Sequence, residues 1–226
     1  MNGKLIVIEA GTDASGKTTQ AAKIYEKLSR LQTNVHQIKF PDYESPSSAL
    51  VKMYLNGEFG KKPDDVNSYA ASTFYAVDRY ASYHNKWKNL LKKGSIIIAD
   101  RYTTSNMVHQ ASKIASIEKR EEFLDWLWDL EFNKLLLPIP DLVLFLNMPP
   151  EQSCRLMDNR REQERDIHEQ DLDYLINTYQ NACWIARKYN WVIINCFENE
   201  RIKSIEEINQ EVFKVIQDRI IEKGDY

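Results

Sequence analysis

Residues 11–18 read Gly11-Thr12-Asp13-Ala14-Ser15-Gly16-Lys17-Thr18, which matches the phosphate-binding loop pattern G-x-x-x-x-G-K-[ST]. An apolar run at residues 5–8 precedes the loop and predicts a buried strand. The segment 17–31 follows the loop with apolar side chains at helical spacing, which predicts a helix. A strand, a glycine-containing loop and a helix, in that order, are the context that gives the pattern a mechanism.

The chemistry of this loop follows from its residue types. Gly11 and Gly16 allow the chain to turn tightly, so that backbone N–H groups can point at phosphate oxygens. The amino terminus of the following helix adds its partial positive charge. Lys17 would reach the terminal phosphates, and the Thr18 hydroxyl would hold Mg²⁺. A chance Lys-Thr pair in a turn would not explain the flanking elements, so the sequence predicts binding of a nucleoside triphosphate.

The composition of the 226-residue chain limits the classes of function. The net charge is −3 with acidic and basic residues mixed, so no basic stripe indicates a nucleic-acid partner. We see neither a membrane-spanning run nor a signal peptide, and therefore expect a cytoplasmic protein without a membrane partner. The three cysteines have neither metal-site nor disulfide spacing. We expect residues 1–226 to form a single domain.

Short apolar runs alternate with longer helical patterns along the chain. We predict strands at residues 5–9, 35–40, 95–99, 142–146 and 191–195. Each run is nearly continuous, as expected for strands that are buried on both faces. The alternation predicts an α/β protein with the three-layer P-loop NTPase fold, in which helices cover both faces of a five-stranded parallel sheet.

One helix is predicted over residues 63–91, with two different faces. The face predicted to pack on the core carries Val66, Tyr69, Ala70, Thr73, Phe74, Val77, Tyr80, Ala81, His84, Trp87 and Leu91. His84 is therefore expected to be a packed residue and not a ligand. Tyr75 and Arg79 lie one turn apart on the other face. They could line a cleft, with the ring on a base and the guanidinium on a carbonyl or phosphate, or they could form a solvated face, which the pattern alone favours.

Two further segments carry charged residues that suit phosphate chemistry. Asp100 and Arg101 directly follow the predicted strand 95–99, where a carboxylate would hold Mg²⁺ through water and an arginine would clamp a phosphate. The alternative is a strand-end turn with a surface arginine. Arg160, Arg161 and Arg165 follow a predicted helix at 151–159 and suggest a short arginine-rich lid at about 159–167. A solvated, mixed-charge helix surface is the alternative there.

Taken together, these motifs resemble the thymidylate kinases over most of the chain. The resemblance rests on the phosphate-binding loop, Phe40-Pro41-Asp42, the segment 75–79, Asp100-Arg101-Tyr102, His109-Gln110, the segment 140–146 and the arginine-rich segment. It implies that MgATP phosphorylates thymidine monophosphate and that the protein is a homodimer. The apolar segment 121–137, predicted to be a helix, would be core or a subunit interface.

The resemblance also implies roles for individual residues. ATP would bind to the loop and the start of the helix, at Gly11, Thr12, Asp13, Ala14, Ser15, Gly16, Lys17, Thr18 and Thr19. Asp13 would also lie near the substrate sugar, Tyr75 would stack on thymine, and Gln110 would line the base pocket. Arg79 would approach the base or its phosphate. Asp100 would act near the metal, and Arg101 would bind the acceptor phosphate.

Two departures from the family pattern bear on these roles. Ala14 stands where one branch of the family has an arginine, which places the catalytic arginine in the lid, among Arg160, Arg161 and Arg165. No arginine follows the segment 39–43, which leaves the identity of the acceptor open.

Two alternative functions follow from the sequence. The first is a kinase for another nucleoside monophosphate or for a deoxynucleoside. A nucleoside acceptor would need a base, for which Glu9 or Asp13 are the candidates. The second is a regulatory module that binds nucleotide without turnover. A GTPase switch is disfavoured because the chain has no Asn-Lys-x-Asp motif.

Overall fold

The computed structural model describes residues 3–12, 15–31, 34–157 and 172–221. In this part of the chain the main sheet has five parallel strands in the order β2-β3-β1-β4-β5. The strands are β1 (Lys4–Ala10), β2 (Val35–Lys39), β3 (Ile96–Asp100), β4 (Leu142–Asn147) and β5 (Val192–Asn195). A short antiparallel pair, β6 (Phe197–Glu198) and β7 (Arg201–Ile202), lies apart from it. All five predicted strands are confirmed, with ends that differ by at most one residue.

Helices connect the strands. They are α1 (Lys17–Leu31), α2 (Ala49–Leu55), α3 (Ser68–Ser82), α4 (Lys88–Lys92), α5 (Thr103–His109), α6 (Ile117–Trp128), α7 (Pro150–Met157), α8 (Leu172–Lys188) and α9 (Ile205–Ile216). Short 3₁₀ turns occur at Pro46–Ser48, Pro63–Asp65 and Ala111–Lys113, and π turns at Tyr83–Trp87, Asp129–Lys134 and Gln217–Ile221. Within the described ranges, every helix is too short or too polar to cross a membrane.

The core lies on both faces of the sheet. Ile6 and Ile8 of β1 pack with residues of α1 and α9 on one face. Leu5 and Val7 point to the opposite face, where they pack with Trp87 and its neighbours. Successive side chains of a strand point to opposite faces, so a central strand covered on both sides must be apolar throughout. The predicted α/β architecture, with helices on both faces of the sheet, is therefore confirmed.

The strand register brings the functional segments to one edge of the sheet. Ile8 of β1 pairs with Asp100 of β3, and Lys39 of β2 pairs with Asp100 from the other side. Because all five strands are parallel, their carboxyl ends meet at this edge. The loop that follows β1 therefore lies beside the end of β3.

The prediction of one helix over residues 63–91 is wrong in its first part. Pro63–Asp65 forms a separate 3₁₀ turn, and α3 begins at Ser68. The Asn67 side chain caps α3 by accepting a hydrogen bond from the backbone N–H of Ala70. After α3 the chain stays helical through the π turn and α4 to Lys92. The predicted helix at 121–137 likewise begins earlier, at Ile117, and changes to a π turn after Trp128.

The prediction of which face of α3 packs on the core is also wrong. Tyr69, Val77 and Tyr80 of the predicted core face are 41%, 49% and 40% exposed. His84, beyond the end of α3, is exposed and contacts the Tyr80 ring at 4.3 Å between ring centroids, so it is not a core residue. The small and polar stripe is buried instead, and it comprises Ser68, Ala71, Ser72, Ala76, Asp78, Arg79 and Ser82.

Hydrogen bonds satisfy Ser68, Asp78 and Arg79 of this buried stripe. The Ser68 hydroxyl donates to the carbonyl oxygen of Gln110 at 2.7 Å. Asp78 accepts from the backbone N–H of Asp42 at 2.8 Å and from the Ser47 hydroxyl at 2.7 Å. Buried polar groups with such partners avoid most of the cost of losing water. Apolar periodicity therefore identifies the helix but assigns its faces wrongly.

Candidate active site

The phosphate-binding loop connects β1 to α1 as predicted. Lys17 is buried, and its Nζ donates to the carbonyl oxygen of Thr12 at 3.0 Å and to Ser15 Oγ at 3.4 Å. Gly16 has φ +87°, a conformation that residues with a side chain rarely adopt. These contacts hold the lysine inside the loop, close to the backbone groups that would bind phosphate.

Gly11 permits a close approach of α8 to this loop. A Cβ atom at Gly11 would lie 2.9 Å from Cβ of Ala182 and 3.2 Å from Cα of Tyr179. The first distance is shorter than real Cβ contacts, so glycine is required here for packing. Asp13 and Ala14, which complete the predicted loop, lie outside the described residues.

The predicted metal-binding pair is brought together. The Thr18 hydroxyl, in the first turn of α1, donates to Asp100 Oδ2 at 2.7 Å. Asp100 is buried at the end of β3, whereas Thr18 and Thr19 are exposed. A hydroxyl and a carboxylate are oxygen ligands of the kind that Mg²⁺ prefers.

A cleft opens beside the ends of β2 and β3. Its lining includes all four described residues that were predicted to bind the substrate, namely Tyr75, Arg79, Arg101 and Gln110. Phe40 and Tyr43 also line the cleft. The four predicted residues therefore line one cleft, and their roles in binding the substrate stay predictions.

Arg101 occupies an unusual backbone conformation at the start of this cleft. Its φ is +68°, and its backbone N–H donates to the carbonyl oxygen of Ile8 at 3.2 Å. Its side-chain Nη1 lies 3.0 Å from Nε2 of His109, which also lines the cleft. A non-glycine residue in the left-handed region is energetically unfavourable and often marks a functional site.

Arg79 lines the cleft, but it is not the solvated arginine that the periodicity alone favoured. Its side chain is 1% exposed and forms a bidentate ion pair with Glu131, at 2.7 Å and 2.5 Å. Tyr75 is half-buried on the same wall, with its ring 6.3 Å from the ring of Tyr54. The tyrosine and the arginine thus face one cleft, and the arginine is fixed in place.

Asn106 is a cleft residue that the sequence reasoning missed. It precedes Gln110 by four residues, so both side chains lie on one side of α5 and its C-cap. The four-residue spacing from Gln110 was the signal in the sequence from which Asn106 could have been predicted to line the cleft. Among the described residues, nothing bonds to the buried Nδ2 of Asn106 or to the buried Oε1 of Gln110. A donor and an acceptor in a cleft without protein partners suit a ligand with both functions, such as a nucleobase.

Glu9 and Asp13 are the two candidate general bases, and the structure describes only Glu9. Glu9 is fully buried and accepts hydrogen bonds from Ala10 N, Thr104 Oγ1 and Ser105 Oγ, at 3.0, 2.8 and 2.6 Å. These contacts occupy Glu9 in holding α5 against β1, which disfavours it as a base. Asp13 lies outside the described residues. The structure thus disfavours one of the two candidate bases of the deoxynucleoside kinase alternative.

Tyr102 has a structural role in the same wall. Its hydroxyl donates to the carbonyl oxygen of Pro138 at 3.0 Å. Complete burial, together with the nearby Glu131 carboxylate, raises the pKa of Tyr102 well above its ordinary value. Tyr102 therefore stays neutral and cannot serve as a base. The predicted lid at 159–167, with Arg160, Arg161 and Arg165, lies outside the described residues.

Comparison with known proteins decides the family. A family model for thymidylate kinase matches residues 8–212. The chain belongs to the thymidylate kinase family. The function of this family is the phosphorylation of thymidine monophosphate, and the chain is an ATP-dependent nucleoside monophosphate kinase of this kind. The resemblance inferred from the sequence motifs is confirmed.

Individual thymidylate kinases match the chain over nearly its whole length. A probable thymidylate kinase from Staphylothermus marinus is 28% identical, with 97% of this chain and 98% of the relative covered. The thymidylate kinase of Plasmodium falciparum is 25% identical, with 99% and 94% covered. The solved thymidylate kinase of Candida albicans superimposes with a TM-score of 0.73 at 25% identity, covering 96% and 92% of the two chains. That enzyme is described as having broad substrate specificity.

Proposed function

We propose that the chain transfers the γ-phosphoryl group of MgATP to the phosphate of thymidine monophosphate within the cleft. The observation that carries this proposal is the continuity between the two halves of the site. Asp100 bonds to Thr18 of the phosphate-binding side, and the next residue, Arg101, lines the cleft. A donor phosphate on the loop and an acceptor phosphate at Arg101 would therefore meet at the end of β3.

The loop would hold the donor nucleotide through the residues predicted for it, Gly11 to Thr19. Lys17 would turn from its present partners within the loop toward the phosphate oxygens. Thr18 and Asp100 would hold Mg²⁺, which neutralises charge on the phosphates when bound. Arg160, Arg161 and Arg165 keep their predicted role as lid residues that meet the transferring group.

The cleft would hold the acceptor nucleotide. Arg101 would bind its phosphate, and Tyr75 would stack on its base. Gln110 and Asn106 would pair with polar atoms of the base. An oxygen of the acceptor phosphate attacks the γ-phosphorus, and the bond to the ADP oxygen breaks. That oxygen is already ionised at neutral pH, so the step needs positioning and charge neutralisation but no strong base.

We also propose a homodimer, because the exposed Tyr69, Val77 and Tyr80 give α3 an apolar face that a second copy would cover. A cytoplasmic location fits the three cysteines, none of which is in a disulfide. The mixed surface charge fits a protein that acts on small molecules, without a nucleic-acid or membrane partner.

A coupled assay of ADP release tests the proposed acceptor. MgATP is supplied with thymidine monophosphate, with the monophosphates of deoxyuridine, deoxycytidine and deoxyguanosine, or with thymidine. We expect strong turnover with thymidine monophosphate. Turnover with thymidine but not with its monophosphate would contradict the proposal, and ATP binding without turnover on any acceptor would favour the regulatory alternative.

A further inference from the structure

A buried ion pair holds one wall of the cleft. Arg79 of α3 is 1% exposed and Glu131 is 0% exposed. Arg79 Nε donates to Glu131 Oε2 at 2.7 Å, and Nη2 donates to Oε1 at 2.5 Å. Two parallel bonds between planar groups fix the orientation of the guanidinium as well as its position.

Glu131 is itself held by a second element of the site. The hydroxyl of Thr103, at the start of α5, donates to Glu131 Oε2 at 2.6 Å. Arg79 Nη1 lies 3.4 Å from the carbonyl oxygen of Tyr102, one residue earlier. Glu131 lies in the π turn Asp129–Lys134, a type of irregularity that often occurs at functional sites. The carboxylate thus joins α3, the start of α5 and the end of α6.

This arrangement decides which part of a nucleotide suits Arg79. Glu131 offsets the positive charge of Arg79, so the phosphate of the acceptor is better matched to Arg101. A guanidinium has five N–H donors, of which Glu131 takes two and the carbonyl oxygen of Tyr102 takes a third. Arg79 lines the cleft, so its remaining donors suit a neutral acceptor there, such as a carbonyl oxygen of a base.

We propose that Glu131 is a positioning residue that sets the base specificity of the enzyme through Arg79. The inference rests on the proposed function, because it assumes that the base of the acceptor lies against this wall. Thymine presents a carbonyl oxygen at position 4, which accepts from Arg79. Cytosine presents an amino group there, so two donors would face each other and both would stay unpaired. Sites that pair with a polar group strongly reject analogues that leave that pair unmade.

The test is the Glu131→Gln variant, assayed for kcat/KM with the monophosphates of thymidine and deoxycytidine. Glutamine keeps the shape of glutamate but cannot accept both bonds from Arg79. We expect the preference for thymidine monophosphate to fall by roughly 10-fold or more, with KM for it rising more than kcat falls. In an Arg79→Gln background, Glu131→Gln should cause no further change in the preference, since Glu131 acts through Arg79.

Two more variants separate this role from a purely structural one. Thr103→Val removes the third bond to Glu131 and is mild enough to test the proposal if Glu131→Gln does not fold. We expect its preference to fall by roughly 3-fold. Asn209→Ala removes a buried bond to Gln20 Oε1 between α9 and α1, and should lower stability without changing the preference.

The outcomes distinguish the proposed function from the role of Glu131. A wild-type enzyme without turnover of thymidine monophosphate would refute the proposed function. A wild-type enzyme that is active, with an unchanged preference in either folded variant, would overturn the role of Glu131 alone. A change of equal size in Asn209→Ala would also overturn it, because general destabilisation would then explain the effect.

Discussion

Thr18 Oγ1 and Asp100 Oδ2 lie 2.7 Å apart, although 82 positions separate the two residues in the chain. This hydrogen bond joins the first turn of α1 to the end of β3. The parallel pairing of β1 with β3 makes it possible, because the register places Ile8 opposite Asp100.

The Asp100→Asn variant should require more Mg²⁺ for activity. An amide lacks the negative charge that would hold the ion through water, so we expect the Mg²⁺ concentration for half-maximal rate to rise roughly 10–100-fold. Titration of the rate with Mg²⁺ at saturating ATP measures this. Asp141→Asn is the control, because Asp141 pairs with Lys4 at the opposite edge of the sheet. Equal Mg²⁺ dependence in wild type and Asp100→Asn would contradict the assignment.

The Lys17→Ala variant should lose activity and keep its fold. Lys17 would supply charge to the transferring phosphoryl group, so we expect kcat to fall by roughly 1,000-fold. ADP release and a thermal melt measure the two properties. Lys23→Ala, on the same helix, is the control because Lys23 forms an exposed ion pair with Glu206. Undiminished turnover in purified Lys17→Ala would exclude the phosphate-loop mechanism.

The Gln110→Met variant should bind the acceptor more weakly without loss of stability. Within the described part of the chain, Gln110 Oε1 is buried and has no hydrogen-bond partner. Replacing this oxygen by an apolar group should therefore stabilise the free enzyme by about 1 kcal/mol. KM for thymidine monophosphate should rise, because the base loses a partner.

The control for this variant is Ser72→Ala. Ser72 Oγ is another buried oxygen to which no described group bonds, and Ser72 does not line the cleft. Its removal should leave KM unchanged. If KM were also unchanged in Gln110→Met, Gln110 would not contact the base.

Lys113 should make the stability of the protein depend on pH. Its Nζ donates to Tyr54 Oη at 3.1 Å and to the carbonyl oxygen of Val66 at 2.8 Å, and burial lowers the pKa of Lys113 to about 8. The unfolded chain has the higher pKa and binds more protons between pH 8 and about 10.4, so unfolding becomes less favourable as pH rises through this window.

The comparison that checks this effect is with Lys113→Met. Between pH 7 and pH 10, the free energy of unfolding of the wild type should gain about 2 kcal/mol relative to the variant. Urea denaturation at the two pH values measures the difference. Lys92→Met, which removes an exposed lysine, should show no such gain. A difference that is constant with pH would mean that Lys113 titrates normally.

The exposed face of α3 should form the subunit interface. Tyr80→Glu places a charge on this face and should shift the mass in light scattering from two copies to one copy of 26.5 kDa. Tyr25→Glu is the matched control, because Tyr25 is a similarly exposed tyrosine on α1. A wild-type protein that is monomeric at micromolar concentration would refute the dimer.

The sequence predicted the sheet more accurately than the helix that carries Tyr75 and Arg79. Strands covered on both faces are apolar throughout, so their positions do not depend on which face is buried. The orientation of α3 depends on Asp78 and Arg79, whose partners Ser47 and Glu131 are distant in the chain. No local pattern shows that a polar stripe will find such partners.

The candidate site, like the fold, could be predicted from the sequence only in part. Lys17, Thr18 and Asp100 were predictable, because a loop pattern and a strand end fix their places. Glu131 was not, because it reaches the site from the end of a helix whose apolar residues dominate its pattern. The roles assigned to individual residues stay predictions until the variants are measured.

The contact between Gly11 and Ala182 constrains how this enzyme can evolve. Ala182 lies in α8, among the residues that pack with Phe145 on the face of the sheet. A larger side chain at position 182 would press on the backbone of the phosphate-binding loop, and one at position 11 would press on α8. Neither position can accept bulk while the other stays where it is. We therefore expect laboratory selection for stability, which commonly enlarges core side chains, to leave position 182 small even though Ala182 does not belong to the proposed nucleotide site.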